Sequence, residues 1–268
     1  MAEITVNGVR LVYDRHGDTG LPPLFLLHGL YGSRHLGATI DLFSDRYHII
    51  TYDARGHGDS DKPAAYALKD HGQDLLALIA GLGYDKAVVI GLSMGSYVAA
   101  QAAILDSSRI DKLVLLVTKG HGKSSSVVRF LTGKGLDPLA LTPEELIKVM
   151  SEAIWSPHTT PERRQAIMAE QLMAMPADYH ELTAEQKQAV DAALTDFDLR
   201  PGLALISAPT LVIAGRDDGL NPPELGAEVA ALIPDARFVV FEESGHMLIV
   251  EEPDHLRREV LAFLNDSL

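Results

Sequence analysis

Residues 88–103 read Val-Val-Ile-Gly-Leu-Ser-Met-Gly-Ser-Tyr-Val-Ala-Ala-Gln-Ala-Ala. Val88, Val89 and Ile90 form an apolar, β-branched run that suits a strand buried on both faces. The alanine-rich stretch from Tyr97 to Ala103 suits a helix. Between them lies Gly91-Leu92-Ser93-Met94-Gly95. A serine with glycine two residues to either side, set between a strand and a helix, matches the G-x-S-x-G turn that presents a serine Oγ at the edge of a sheet. In so tight a turn Cβ atoms at the flanking positions would strike neighbouring backbone, and glycine removes them. The competing reading is a glycine-rich turn with an incidental serine. The rest of the chain decides between the two.

Working outward, the same alternation of buried-type strand and helix recurs. Asn7-Gly8 separates two alternating apolar and polar runs and predicts a hairpin. Pro23-Leu24-Phe25-Leu26-Leu27 is a continuous apolar strand leading into His28-Gly29-Leu30-Tyr31-Gly32-Ser33. Ser33 is expected to cap a helix reaching residue 43. A strand at 47–52 feeds Asp53-Ala54-Arg55-Gly56-His57-Gly58-Asp59-Ser60, a loop dense in turn formers. Leu75, Leu78, Ile79 and Leu82 mark a helix over 68–82, and 113–117 is a further strand. From about 119 to 206 the pattern holds helices and no convincing strand. Helix starts stand at Thr142-Pro143, Thr160-Pro161 and Thr183-Ala184. An insertion of this length is expected to be structured, with the segment 119–126 and the Arg200-Pro201-Gly202 turn as its hinges. Met168, Met173 and Met175 either line an adaptable apolar pocket or, at helical spacing, pack the insertion. Strands at 209–214 and 236–241 and helices at 224–232 and 253–264 complete the chain. The fold class is therefore α/β, a mostly parallel sheet with helices on both faces, whose sites lie at the carboxyl ends of the strands.

Composition narrows the function. The chain has 268 residues, a net charge of −14 and no cysteine. The charge argues against a nucleic-acid or anionic-membrane partner, which needs a basic face. The lack of cysteine excludes disulfides, thiolate catalysis and cysteine metal sites. Neither a signal-peptide pattern nor a run long enough to span a membrane is present, so a cytoplasmic location is expected. His16, His35, His48, His71, His180 and His255 show no metal-ligand spacing. His121 and His158 read as surface histidines in or near the insertion, within possible reach of a ligand. Paired acids such as Glu144-Glu145 and Glu251-Glu252 read as solvated faces and helix-start charges.

A serine nucleophile needs a base to take its proton and an acid to orient that base. The strand ending at Ala214 is followed by Asp217 and Asp218. The strand ending at Phe241 is followed by His246. Ser, Asp, His is the order expected when the serine sits on such a turn. The three loops can meet at one sheet edge only if the strands are parallel, as the alternation suggests.

In these motifs the chain resembles the α/β-hydrolase superfamily, in particular its cofactor-free branch of small esterases, enol-lactonases, C–C hydrolases and haloperoxidase-like perhydrolases. The resemblance rests on Leu24 to Gly29, Asp53 to Ser60, Gly91 to Gly95, Gly215-Arg216-Asp217-Asp218 with Pro222, and Ser244-Gly245-His246. It implies Ser93 as nucleophile and His246 as general base. The family pattern G-x-x-D-x-x-x-P places the acid at Asp218 and leaves Asp217 as a solvated or loop-bonding residue. It implies backbone N–H groups of Leu30 and Met94 as the oxyanion hole, the latter at a helix N-terminus. It gives His28 a loop-shaping role and His57 a structural one. It divides the chain into a core of residues 1–118 and 206–268 and a helical cap of 119–205. The expected activity is hydrolysis of a small, mostly apolar carboxylic ester or lactone through an acyl-enzyme, with no metal or organic cofactor. C–C bond hydrolysis or a lyase reaction on the same triad, and a non-enzymatic ligand-binding or regulatory role, are the alternatives.

Overall fold

The computed structural model describes residues 1–175, 177 and 181–266; His180 lies outside them. The chain begins with a hairpin of β1 (Ala2–Val6) and β2 (Val9–His16). Asn7 and Gly8 make its turn, at φ of 48° and 77°, the left-handed pair that Asn-Gly favours. Six more strands complete one sheet: β3 (Pro23–Leu27), β4 (His48–Tyr52), β5 (Ala87–Leu92), β6 (Ile110–Leu116), β7 (Thr210–Gly215) and β8 (Ala236–Phe241). The order is β1-β2-β4-β3-β5-β6-β7-β8. β2 runs antiparallel to both neighbours, and every pair from β4 to β8 is parallel.

The unbroken apolar strands follow from burial on both faces. Phe25, Leu27, Val89, Leu113 and Leu115 point to one face; Leu24, Leu26, Val88, Ile90, Val114 and Leu116 point to the other. The helices, in chain order, are α1 (Ala38–Asp41), α2 (Leu68–Gly81), α3 (Met94–Leu105), α4 (Ser126–Gly133), α5 (Pro143–Ile154), α6 (Pro161–Ala174), α7 (Ala184–Ala193), α8 (Arg200–Leu203), α9 (Pro223–Leu232), α10 (Leu248–Glu251) and α11 (Pro253–Asn265). Leu75, Leu78 and Ile79 of α2, with the alanines of α3, pack on the first face. Leu256, Val260 and Phe263 of α11 pack on the second. Each leucine, isoleucine, valine or phenylalanine among them contributes roughly 1.5–3 kcal/mol when fully buried. Gly72 of α2 lets the two helices approach closely: a Cβ there would stand 3.1 Å from the Ala102 nitrogen of α3.

One expectation is corrected. Ser33 caps no helix; only the single turn α1 forms, and Gly37 precedes it. The intervening chain is pinned by Arg34. Its backbone N–H donates to Asp53 Oδ1 at 2.7 Å, and its buried guanidinium bonds Asp14, Asp53 and Asp59. A buried arginine held by three carboxylates from distant segments overrides local helix propensity. Arg200-Pro201-Gly202 lies in the single helical turn α8. The segment after 119 leads into α4, whose valines and phenylalanine hide its helical character. The two stems of the insertion pair through His121 and Asp198, and Gly122 N–H donates to Phe197 O at 2.7 Å. Among the described residues no helix is long and apolar enough to cross a membrane.

Candidate active site

β5 ends at Leu92 and α3 begins at Met94, leaving Ser93 between them at φ 51° and ψ −115°. For a residue with a side chain this conformation costs on the order of 1–3 kcal/mol and persists only where the surroundings enforce it. They do so here. Ser93 N–H donates to Leu116 O at 3.0 Å, and Ser93 O accepts from Ser96 N–H at 2.9 Å and Ser96 Oγ at 2.6 Å. A Cβ on Gly91 would stand 2.3 Å from Gly95 O, and one on Gly95 2.6 Å from Leu27 O. Both glycines are therefore required by the approach of strand, helix and the end of β3.

Ser93, Asp218 and His246 come together at the carboxyl edge of the parallel strands. His246 Nε2 lies 3.1 Å from Ser93 Oγ, and His246 Nδ1 lies 2.8 Å from Asp218 Oδ2. A carboxylate only accepts, so Nδ1 donates and Nε2 is left to accept from the serine hydroxyl. Asp218 is buried, and its Oδ1 accepts the N–H groups of Leu220 and Asn221, both at 2.8 Å. Asp217 faces away. It accepts from Ser156 Oγ at 2.7 Å and so ties the β7 loop to the segment after α5. The histidine loop is seated as tightly as the serine. A Cβ on Gly215 would meet Gly245 O at 2.2 Å, and His246 N–H donates to Ile154 O at 2.8 Å.

The turn after β3 lies against the serine: a Cβ on Gly29 would stand 3.6 Å from Ser93 Cβ. Leu30 and Met94 line the same cavity as Ser93 and His246. Neither Leu30 N–H nor Met94 N–H is bonded among the described residues. Met94 opens α3, where the helix dipole favours negative charge. His28 shapes this turn. Its Nδ1 donates to Gly29 O at 2.8 Å and its Nε2 accepts Ala54 N–H at 3.1 Å. His57 packs 5.0 Å from the His28 ring and bonds Arg55 O at 3.0 Å, away from the cavity. Burial pushes its pKa down to about 2 and that of His71 down to about 3, so both rings are neutral.

Two parts of the site escaped sequence reasoning. Asn221 Nδ2 donates to Tyr97 Oη at 2.6 Å and Val117 O at 2.7 Å, bracing the Asp218 loop against β6 and α3. Its only signal was a position between Asp218 and Pro222. Glu251 and Glu252 are not the solvated charges expected. Glu251 Oε2 accepts Gly245 N–H at 2.7 Å, and Glu252 accepts from Ser244 Oγ, so both hold the loop that carries His246. Their partners are backbone or small polar groups, which leave no pattern in sequence.

A cavity of about 1830 Å³ opens over Ser93. Its wall combines the turn that carries Ser93, the turn after β3 and α6. Met168 and Met173 are 59% and 86% exposed and line it with Met175. All three methionines border the cavity, as the pocket reading expects. Neither His121 nor His158 lines the cavity.

The chain belongs to the alpha/beta hydrolase fold family, whose model matches residues 22–253. Among similar proteins is a 2-hydroxy-6-oxononadienedioate/2-hydroxy-6-oxononatrienedioate hydrolase of Burkholderia vietnamiensis, 29% identical over 96% of this chain and 91% of its own. A 3-oxoadipate enol-lactonase of Acinetobacter baylyi is 28% identical over 97% and 95% of the two chains. The crystal structure of the enol-lactonase from Burkholderia xenovorans shares the fold with a TM-score of 0.80, at 24% identity, over 99% of this chain and all of that one (100%).

Proposed function

We propose that this chain is a serine hydrolase that cleaves a small, mostly apolar carboxylic ester or lactone through an acyl-enzyme. The observation that carries the reading is the continuous hydrogen-bonded line from Ser93 through His246 to Asp218. In the proposed cycle Ser93 Oγ attacks the carbonyl carbon as His246 Nε2 takes its proton. Asp218 holds the ring and supports the imidazolium. The N–H groups of Leu30 and Met94 receive the oxyanion. His246 then gives its proton to the departing alkoxide. It next takes a proton from the water that attacks the acyl carbon, and returns it to Ser93 Oγ as the acyl–Oγ bond breaks and the acid is released. An oxyanion donor of this kind is worth roughly 10²–10³ in rate. Residues 119–205 act as a cap over the core of 1–118 and 206–268, and the methionines of α6 supply the apolar wall of the pocket.

A second reading, hydrolysis of a C–C bond on the same three residues, is favoured by the similarity to the nonadienedioate hydrolase. Treatment with a fluorophosphonate, beside a panel of short esters, lactones and a vinylogous diketone, separates the cases. The expected result is labelling at Ser93, ester or lactone turnover, and loss of both in Ser93→Ala. An unlabelled Ser93 with no turnover of ester or lactone overturns the reading.

A further inference from the structure

Lys119 is the one buried cation on the cavity wall among the described residues, at 6% exposure. It follows β6 two residues after Val117, which takes φ 48°, a strained conformation for a β-branched side chain. Lys119 Nζ donates to Ser126 Oγ at 3.0 Å and lies 5.7 Å and 5.8 Å from the ring centres of Tyr97 and Phe197. An ammonium has three donors, and this one makes a single hydrogen bond among the described residues. No carboxylate among the described residues approaches within 4 Å of it. The other buried cations are paired: Arg34 with Asp14, Asp53 and Asp59, and Arg55 with Asp74.

A charge buried without a counter-charge is costly. Burial first, and then the Arg129 guanidinium of α4, push the Lys119 pKa down to about 8. The remaining groups around it do not offset its charge. Tyr97 is held neutral by burial, and burial lowers His121 as well. The other charged groups of the wall are occupied or exposed. Arg164 donates to the carbonyls of Thr159 and Ser156, and Asp191 accepts from Tyr31. Lys123 and Glu170 face solvent. Ser124 and Ser125, just before α4, also line the cavity.

We propose that Lys119 anchors a carboxylate carried by the substrate while the scissile ester or lactone carbonyl lies at Ser93. This inference rests on the serine-hydrolase reading and narrows it: the substrate is apolar along the methionine wall and bears one anionic end. The bond to Ser126 alone would make Lys119 a strut between β6 and α4. Loss of a strut lowers all substrates together, whereas loss of an anchor lowers only the anionic ones.

The test pairs monomethyl succinate, glutarate and adipate with methyl butyrate, pentanoate and hexanoate at pH 7 and fixed ionic strength. Values of kcat/KM are compared for wild type, Lys119→Met and Lys119→Arg. The expected result is a wild-type preference for the anionic member of at least one pair. Lys119→Met lowers the anionic-to-neutral ratio about 10- to 100-fold, the worth of a hydrogen bond to a charged group, with neutral rates changed only a few-fold. Lys119→Arg keeps part of the preference. An unchanged ratio in Lys119→Met overturns the anchor and leaves the hydrolase reading standing. Calorimetric titration of Ser93→Ala with monomethyl glutarate and methyl pentanoate needs no turnover. Binding of the anion that disappears in Ser93→Ala/Lys119→Met supports the anchor even if no ester is hydrolysed. Equal binding of both compounds overturns it.

Discussion

Glu251 Oε2 accepts the N–H of Gly245 at 2.7 Å, one residue before His246. The other oxygen of the same carboxylate accepts Ser156 N–H at 2.9 Å and Thr159 Oγ at 2.7 Å. One half-buried side chain thus joins the histidine loop to the link between α5 and α6. In Glu251→Gln the amide presents a donor toward one of these donors and leaves it unsatisfied. Such a loss costs about 1–3 kcal/mol, which for a chain of this size lowers Tm by about 2–10 °C. Ester turnover is expected to fall about tenfold, with Ser93 still labelled by a fluorophosphonate, since the histidine loses its support and keeps its chemistry. Thermal melting and labelling rates, measured together, check this. A variant as stable and as active as wild type overturns it.

Asp217 and Asp218 are adjacent in sequence and opposite in role. Asp218 Oδ2 meets His246 Nδ1, while Asp217 meets Ser156. Asp218→Asn removes the acceptor that keeps the proton on Nδ1 and is expected to lower kcat by about 10³–10⁴. Asp217→Asn can still accept from Ser156 Oγ and is expected to stay within a few-fold of wild type. Steady-state hydrolysis of one ester by both variants is sufficient. Equal activity of Asp218→Asn and wild type removes Asp218 from the proposed triad.

The parts of the molecule legible in sequence are those governed by local rules. Strands buried on both faces must be continuously apolar, so Leu24 to Leu27 and Val88 to Ile90 announced themselves. Gly91 and Gly95 have no alternative where backbone stands within 2.6 Å of a would-be Cβ. Asp218 was singled out from Asp217 only by the family pattern that Gly215 and Pro222 carry, not by a local rule. What stayed hidden depends on partners far away in the chain. Arg34 replaces an expected helix because it meets Asp53, 19 positions on. Asn221 and Glu251 act partly through backbone groups that every residue possesses, and partly through hydroxyls distant in the chain. Lys119 became notable only once its surroundings lacked an acid.

His57 and His71 make stability depend on pH. Burial and the neighbouring His28 hold His57 at about 2; burial and Arg55 hold His71 at about 3; burial alone lowers His28. In the unfolded chain all three titrate near 6.5. Below that pH the unfolded state takes up protons that the folded state refuses, so stability rises with pH across this range. Their contribution is fully present above about pH 6.5 and is lost progressively as the pH falls toward 3. Each histidine held neutral adds a slope of at most about 1.4 kcal/mol per pH unit. Carboxylates held low by nearby cations, such as Asp14 against the N-terminal ammonium and Arg34, which outweigh its burial, change protonation only nearer pH 4 and below, so pH 5–6.5 is governed by histidine. Urea unfolding at pH 7, 6 and 5 is expected to show falling midpoints. His57→Gln keeps a side chain able to donate to Arg55 O and removes one titrating group, so its slope is shallower by one histidine's share. The same slope in His57→Gln and wild type would show that His57 is not held neutral in the folded protein.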